Sequence, residues 1–456
     1  MNNIENILDA INTLIENGDF LGAKELAENI TSRVDKLNTL GVIFHQEKND
    51  DKALELLQQA LLIEPSHDDA LYNYAILLLE KGDSFESWRY LTRVRNKTWD
   101  VYNTLGDAQL QEENPIMALY YYQKASALSG LAEIKDKYDH TKNQHKKSVK
   151  LAIFCLPGLD SFITDIAEIL SNLYDVKLLV TTDNKQIAET YNWADIVWLE
   201  WANELAIEIT NKLPKNGKKV ICRLHSYESL SSYPEKINWG TVDRLILVAE
   251  HIRDVLQIYH SKAYNQVKDK ISIIPNGLDL TKFVFKTRQP GYNFAVVAHI
   301  NHKKDPASWL QVVAKLNKID KRYNLHIAGE FQDIRYANYF RHFIKDAHLE
   351  KNIELLGFIN DVNGFLEDKN YLLSTSIHEG HPYNIAEAMA RGIKPVIHNY
   401  VGSKNQWPEE CIYNYIDEIP HIVEGRYDSQ LYRGFVEANF SNEKQLQMIG
   451  ELLQHV

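Results

Sequence analysis

The stretch HEGHPYNIAEAMARGIKPVI, from His378 to Ile397, decides how the second half of the chain is organised. It follows the apolar run YLLSTSI, which predicts a buried strand, and it leads into a helix predicted from Tyr383 to Arg391 and ended by Gly392. Backbone N–H groups at such a helix start attract phosphate. Glu379 precedes this point, and Glu387 lies about a turn inside the helix. The two carboxylates could act only as helix caps, or they could hold hydroxyl groups at both ends of a ligand.

Apolar runs alternate with amphipathic segments from Lys150 to the end of the chain. The runs before residue 286 are VKLAIFC, DVKLLVTT, ADIVWLEW, KKVICRLH and VDRLILVAE, and those after it are NFAVVAHI, NLHIAGE, NIELLGF, YLLSTSI and KPVIHN. Strands that alternate with helices predict parallel sheets covered on both faces. We therefore expect two facing Rossmann-like domains, at 150–285 and 286–456, with ligands outside the carboxyl ends of the strands. The last helix could pack back on the first of these domains.

The first 135 residues contain a repeated pattern of paired helices. One copy has small and large apolar residues at Leu37, Leu40, Gly41, Phe44, Ala53, Leu57, Ala60 and Pro65; the register returns at Leu71 and Tyr102, and a weaker copy starts near Phe20. This spacing resembles tetratricopeptide repeats and predicts an all-α solenoid, followed by a linker at 136–149. Its concave face could dock a protein or glycan acceptor, or the solenoid could only support its neighbour or form homo-oligomers.

Composition argues against several classes of protein. The chain has 456 residues and a net charge of -12, so nucleic acid and anionic membrane surfaces would repel it unless basic residues were clustered. The longest basic stretch, Lys142 to Lys150, is typical of a solvated connector. No apolar run is long enough to span a bilayer, the first residues lack a secretion leader, and the three cysteines show no metal-ligand spacing. We expect a cytoplasmic protein with no metal site.

A larger set of residues resembles the signature of the family-4 retaining glycosyltransferases, which have the GT-B fold. The matching positions are Glu379, Gly380, Pro382, Glu387, Ala388, Met389, Ala390, Gly392, Pro395 and Val396, together with Asn276 to Asp279, Lys304 to Pro306, Gly329 and Gly357. The resemblance spans roughly residues 150 to 456 and is stronger in the C-terminal half. It implies transfer of a hexose or N-acetylhexosamine, with retention, from a UDP- or GDP-linked donor. The absence of any Asp-x-Asp fits the metal independence that the family implies.

The resemblance also implies roles for the residues around the predicted helix start. Glu387 would take the ribose hydroxyls, and Glu379 would face the transferred sugar. Backbone amides of Gly380, Tyr383 and Asn384 would take the phosphates. A nucleotide-sugar has this shape, because a diphosphate separates a ribose diol from a second sugar.

The free energy of anion binding explains why cationic side chains are expected beside the helix start. A helix start contributes at most about 2 kcal/mol to anion binding, whereas micromolar affinity requires roughly 8 kcal/mol. A charge-assisted contact adds about 1.5 to 3 kcal/mol. The resemblance assigns the diphosphate to Lys304, although Lys303 could take that part. In the N-terminal half, His225 of RLHSYE follows a strand and matches a histidine that the family places near the donor sugar, whereas a lone histidine there could also be structural.

The sequence departs from the family pattern at two places. His299 stands where the family carries an arginine that partners Lys304 on the phosphates, and Gly158 alone remains of a pair of glycines after the first strand. Weaker donor binding, a substitute such as Lys303, or lost activity would each fit the first departure. Trp193, Trp198 and Trp201 could stack on sugars or pack in the core.

The sequence thus predicts an enzyme that moves a sugar from a nucleotide-sugar onto a protein or a cell-surface glycan precursor. An inactive tetratricopeptide scaffold with a GT-B domain is the alternative, and a GT-B epimerase or phosphorylase is a third reading.

Overall fold

The computed structural model describes residues 2–455. The chain forms two compact units, one of residues 1–148 with 168–175 and the other of 149–167 with 176–456. The first unit is helical, and the second contains two sheets.

The helical unit is built from consecutive helices joined by short turns. These are α1 (Asn2–Glu16), α2 (Phe20–Ala27), α3 (Arg33–Gln46), α4 (Asp50–Ile63), α5 (Asp68–Glu80), α6 (Ser84–Thr92), α7 (Trp99–Gln111), α8 (Pro115–Ser129) and α9 (Ala132–His145). Helices α3 and α4 approach so closely that a Cβ on Gly41 would lie 2.7 Å from Leu57. A Cβ on Gly106 would lie 2.3 Å from the Tyr122 ring. These crossings fit the tetratricopeptide-like pairs, and α9 covers most of the stretch where we expected a linker.

The first α/β domain has a six-stranded parallel sheet in the order β2-β1-β3-β4-β5-β6. Its elements are β1 (Lys150–Cys155), α10 (Thr164–Leu170), β2 (Asp175–Val180), α11 (Asn184–Trp193), β3 (Ile196–Glu200), α12 (Glu204–Lys212), β4 (Lys219–Leu224), α13 (Ser226–Ser229), α14 (Tyr233–Lys236), β5 (Arg244–Leu247), α15 (His251–Tyr259), α16 (Ser261–Val267) and β6 (Ile271–Ile273). Every residue of β3 is buried, as expected for a central strand covered on both faces.

The second α/β domain repeats this plan with the order β12-β11-β10-β7-β8-β9. Its elements are β7 (Asn293–Val297), α17 (Pro306–Ile319), β8 (Asn324–Ala328), α18 (Ile334–Asp346), β9 (Ile353–Gly357), α19 (Val362–Phe365), β10 (Tyr371–Ser374), α20 (Tyr383–Ala390), β11 (Lys394–His398), α21 (Ser403–Gln406), β12 (Ile412–Tyr413), α22 (Ile419–Glu424), α23 (Ser429–Phe440) and α24 (Asn442–Gln454). The predicted pair of Rossmann-like domains is confirmed.

The end of the chain contacts the first α/β domain. The guanidinium of Arg244 donates a hydrogen bond to the carbonyl of His455, at 3.2 Å. At the start of α24, the amide of Asn442 donates to the carbonyl of Leu278. Within residues 2–455, no helix combines the length and apolar character that crossing a bilayer requires.

Candidate functional site

Each sheet reverses its strand order once, between β1 and β3 in the first domain and between β7 and β10 in the second. Ligands of open α/β sheets bind at such reversals, outside the carboxyl ends of the strands. The loops that follow these four strands contain Gly158, Trp201, His299 and Glu379. The fold therefore brings most of the sequence-predicted site residues to the strand ends where a ligand is expected.

Helix α20 begins at Tyr383, as predicted, and ends just before Gly392, whose φ of 78° requires glycine. Two side chains in the first turn of the helix bind backbone carbonyl groups of other segments and so fix the position of the helix start. Asn384 donates through Nδ2 to the carbonyl of Val297 at 3.1 Å, and the Tyr383 hydroxyl donates to the carbonyl of Gly277 at 2.9 Å. The N-cap residue Pro382 offers no side-chain bond, and in the first turn the amide of Ile385 donates to Asn384 Oδ1 at 3.0 Å, whereas the amides of Tyr383 and Asn384 bond to no side chain of the described residues and can meet an anion.

Glu379 lies buried between two lysines. Its carboxylate is 2.8 Å from Lys303 Nζ, pairs with Lys304 Nζ, and accepts a 2.8 Å hydrogen bond from the hydroxyl of Ser376. Burial would raise the pKa of Glu379, but the charges of Lys304 and Lys303 outweigh it and hold this pKa below its ordinary value. The group of three therefore carries one net positive charge. The two cations assigned to a diphosphate by sequence are bound to Glu379 in this structure.

The loop before α20 is anchored by its carbonyl groups. His251 Nε2 donates to the carbonyl of Glu379 at 2.8 Å, and Gln406 donates to the carbonyl of Gly380. A trans peptide directs its N–H opposite to its carbonyl, so both following amides are held facing away from these two side chains. Gly380 also allows the two domains to approach, because a Cβ there would lie 3.0 Å from Ser226.

Glu387 is half-buried, and its carboxylate forms no hydrogen bond or ion pair with any residue that the structure describes. Burial therefore raises the pKa of this carboxyl, and no neighbouring cation offsets the effect. A partly buried carboxylate without a partner lowers the stability of the fold. Hydrogen bonds from the hydroxyl groups of a ligand would offset this cost.

His225 belongs to a buried polar cluster at the carboxyl ends of β3 and β4. Glu200 accepts hydrogen bonds from Arg223 and His225, both at 3.2 Å, and from the indole of Trp198 at 2.9 Å. Burial would raise the pKa of Glu200, but Arg223 and His225 lower it below its usual value. Arg223 also binds the side chain of Asn276. Sequence reasoning missed Glu200, although a glutamate ending the apolar run ADIVWLEW was a usable signal.

A row of aromatic rings connects this cluster to α20. The Trp201 ring stacks on His225 with centroids 3.9 Å apart, and Phe162 lies 5.5 Å from His225. Phe162 in turn stacks on Tyr383, at 5.3 Å. Trp198 is fully buried, as a core residue would be, whereas Trp201 is only half-buried.

Two predicted positions lie apart from these contacts. His299 is exposed and makes no hydrogen bond or ion pair with residues 2–455. Gly158 occupies an exposed turn with φ 81°, and a Cβ there would meet no described atom within 4 Å. The left-handed turn explains that glycine without any ligand.

A cavity of about 680 Å³ opens beside Lys303, between the two α/β domains. Its wall combines exposed apolar groups with amide, carboxylate and cationic groups. They include Tyr227, Leu230, Asn301, Lys303, Gln332, Asp333 and Ile377. A second molecule thus has access to the neighbourhood of Glu379.

Comparison with known proteins gives the class of this fold and site. Residues 280–407 match the family described as glycosyl transferases group 1. The fold resembles that of the Anabaena protein HepE in complex with UDP (13% identity, TM-score 0.55, covering 68% of this chain and 100% of that one). It also resembles the lipopolysaccharide outer core galactosyltransferase WaaB (14% identity, TM-score 0.51, covering 67% and 100%).

A curated relative is the Escherichia coli UDP-Gal:alpha-D-GlcNAc-diphosphoundecaprenol alpha-1,3-galactosyltransferase, which is 28% identical over 151 residues. The match covers 29% of this chain and 38% of the relative, so the chain spans less than half of that protein's length. The chain thus has the GT-B fold, and its residues 280–407 resemble group 1 glycosyl transferases.

Proposed function

We propose that the protein is a retaining, metal-independent glycosyltransferase that moves a hexosyl or N-acetylhexosaminyl group from a UDP-sugar to a hydroxyl of a cell-surface glycan precursor. The observation that carries the proposal is the uncapped start of α20, with Glu379 and its lysines on one side and the unpaired Glu387 on the other. The arrangement offers phosphate, ribose and sugar sites in the order in which a nucleotide-sugar presents these groups.

The diphosphate would bind the amides at the start of α20, and the ribose hydroxyls would donate to Glu387. Lys303 and Lys304 would then be shared between Glu379 and the phosphates. The single net positive charge of this group partly neutralises the dianion, and each charge-assisted contact is worth about 1.5 to 3 kcal/mol.

In the reaction, the bond between the sugar C1 and the phosphate oxygen breaks, and a bond from C1 to the acceptor oxygen forms on the same face. The acceptor hydroxyl proton passes to the leaving phosphate. Negative charge grows on that phosphate, so the α20 amides and the lysines stabilise the transition state more than the bound substrate.

The choice of UDP is supported by the E. coli relative, which is a UDP-Gal-dependent galactosyltransferase. A saccharide acceptor is supported by the cavity beside Lys303, where an exposed Tyr227 ring and polar groups offer stacking and hydrogen bonds to a sugar. The exposed His299 favours the alternative of an inactive scaffold, because no arginine reaches the phosphates from that position.

The test uses the purified full chain with UDP-Gal, UDP-Glc, UDP-GlcNAc, UDP-GalNAc and GDP-mannose. We expect slow UDP release from one UDP-sugar, unchanged by EDTA, and an α-linked product by NMR once an acceptor glycan is added. Lys304→Ala should retain folding and lose turnover. No nucleotide release and no thermal stabilisation with any donor would instead favour the scaffold.

A further inference from the structure

Trp201 has a backbone conformation that its side chain disfavours. It directly follows β3 and has a φ of 75°, in the left-handed region that glycine adopts readily and bulky residues rarely do. Strain of this kind persists only where surrounding contacts hold it, and it concentrates at functional sites. Trp201 is only half-buried, so packing in the core does not account for it.

Two of the contacts of Trp201 fix the direction of its indole. The indole Nε1 donates to the carbonyl of Leu159 at 2.9 Å, and the ring lies over His225 with an interplanar angle of 21°. The left-handed turn thus directs the indole onto one imidazole. Because the Leu159 bond fixes the indole, the stacked His225 ring has a fixed plane.

Glu200 determines the protonation of that imidazole. Arg223 keeps the Glu200 carboxylate ionised, and an ionised carboxylate can only accept hydrogen bonds. Burial lowers the pKa of His225, so the ring is neutral near pH 7. Nε2, which faces Glu200, must then carry the single proton.

The other ring nitrogen is consequently an acceptor. His225 Nδ1 bonds to no residue that the structure describes, and it is not fully enclosed by protein, so a ligand atom can reach it. The backbone N–H of His225 donates to the carboxyl group of Glu228, and this bond does not involve Nδ1.

We propose that Glu200 and Trp201 are positioning residues that hold His225 in one plane and as the Nε2–H tautomer, so that Nδ1 accepts a hydrogen bond from a hydroxyl of the donor sugar. The sugar contact rests on the proposed function, whereas the tautomer does not. A donor that lacks this hydroxyl would leave Nδ1 without a partner, so the pair also contributes to donor specificity.

The first experiment reads the tautomer directly. NMR of the full chain with 15N-labelled histidine should show His225 as the Nε2–H form, its signals being those lost in His225→Asn. Glu200→Gln can donate to Nε2 as well as accept, so we expect the signals to move toward the Nδ1–H form. A His225 signal with Nδ1 protonated in the wild type would overturn the proposal.

The second experiment uses Trp201→Gly, which suits the left-handed backbone and removes the ring. We expect an unchanged or higher melting temperature with kcat reduced roughly 10- to 100-fold, because His225 loses its fixed plane. Trp193→Ala is the matched control: Trp193 packs against Lys177 on the same domain, so its loss should leave kcat unaltered. With single-position deoxy donors, wild type should disfavour one analogue, and Glu200→Gln should discriminate less.

The outcomes separate the two proposals. A wild type that turns over no donor overturns the proposed function and the sugar contact together. An active wild type whose kcat, deoxy-donor preference and His225 signals survive both Trp201→Gly and Glu200→Gln overturns the positioning role alone.

Discussion

The two α/β domains have the same sheet plan but differ in how the charged side chains at their strand ends are paired and buried. In the first domain Glu200 and Arg223 are each 1% exposed and neutralise one another. In the second, Lys303 and Lys304 remain partly exposed, and Glu387 has no partner among residues 2–455. The first domain therefore uses its charges to stabilise its own conformation, and the second keeps charges available to a ligand.

This difference has a physical origin in burial. A charge pair enclosed by protein must be complete, since losing one partner leaves an uncompensated ion in a medium of low dielectric constant. A pair near solvent exchanges partners at little cost. Removing Arg223 from the enclosed pair of the first domain should therefore mainly change folding, and removing the partly exposed lysines of the second should mainly change binding and turnover.

The largest effect is expected for Arg223→Met. It leaves Glu200 ionised and buried, so the free energy of unfolding should fall by about 3 to 5 kcal/mol. Urea denaturation of the full chain measures this. Lys303→Met, in the second domain, is the control and should cost under about 1 kcal/mol. Similar losses in both variants would contradict the contrast between the domains.

Lys304→Ala should affect turnover strongly and stability only weakly. We expect kcat to fall about 100- to 1,000-fold, because a group that stabilises charge in the transition state is typically worth about 2.7 to 4 kcal/mol. The melting temperature should change little, since Lys303 still pairs with Glu379. Initial rates of UDP release and a thermal melt test both parts; full turnover in the variant would remove Lys304 from the chemistry.

Glu228 provides a prediction that depends on pH. It is fully buried, and burial raises its pKa to about 7. Between pH 4.5 and 7 the unfolded chain releases this proton while the folded chain keeps it, so stability should fall as pH rises, by on the order of 3 kcal/mol. Glu228→Gln should remove this dependence in urea melts at pH 5 and pH 7.5.

Glu379 should contribute to the pH dependence of stability with the opposite sign. Its folded pKa is lowered despite burial, so its contribution is present above the unfolded value and is lost as pH falls. If Glu228→Gln and Glu379→Gln changed the pH dependence of stability in the same direction, the assignment of their charge states would be wrong.

The smallest effect is expected for Glu387→Ala. Loss of charge-assisted bonds from the ribose should weaken UDP binding about 10- to 100-fold, or roughly 1.5 to 3 kcal/mol. The free protein should not be destabilised, because the carboxylate has no partner to lose and alanine suits a helix. Calorimetry with UDP decides this, and unchanged affinity would refute the ribose role.

Local pattern was enough to predict α20, its stop at Gly392, and the two series of strands. Local pattern also singled out Glu379, and the family resemblance singled out Lys304 with Lys303 as a substitute; the structure brings all three into contact. The roles of these residues in binding stay predictions. His299 and Gly158 were selected as the residues at positions where the resembled family carries an arginine and paired glycines, and the structure leaves both exposed.

Glu200 and Trp201 illustrate what local pattern misses. Two partners of Glu200, Arg223 and His225, come from β4 and the residue after it, and the strain in Trp201 is a backbone angle that its residue type does not predict. Arg223 meets Asn276 only because β4 and the loop after β6 end at the same edge of the sheet. Such contacts join residues far apart in the chain, so spacing does not encode them.

The amino-acid sequence by itself determined the paired helices, the two parallel sheets and the helix start at Tyr383, because periodicity and turn residues act over a few neighbouring positions. Only the tertiary structure decided which charges are neutralised and which remain open: Glu379 between its lysines, Glu200 against Arg223, and Glu387 alone. The reason is that ionic interactions depend on distance and burial in three dimensions.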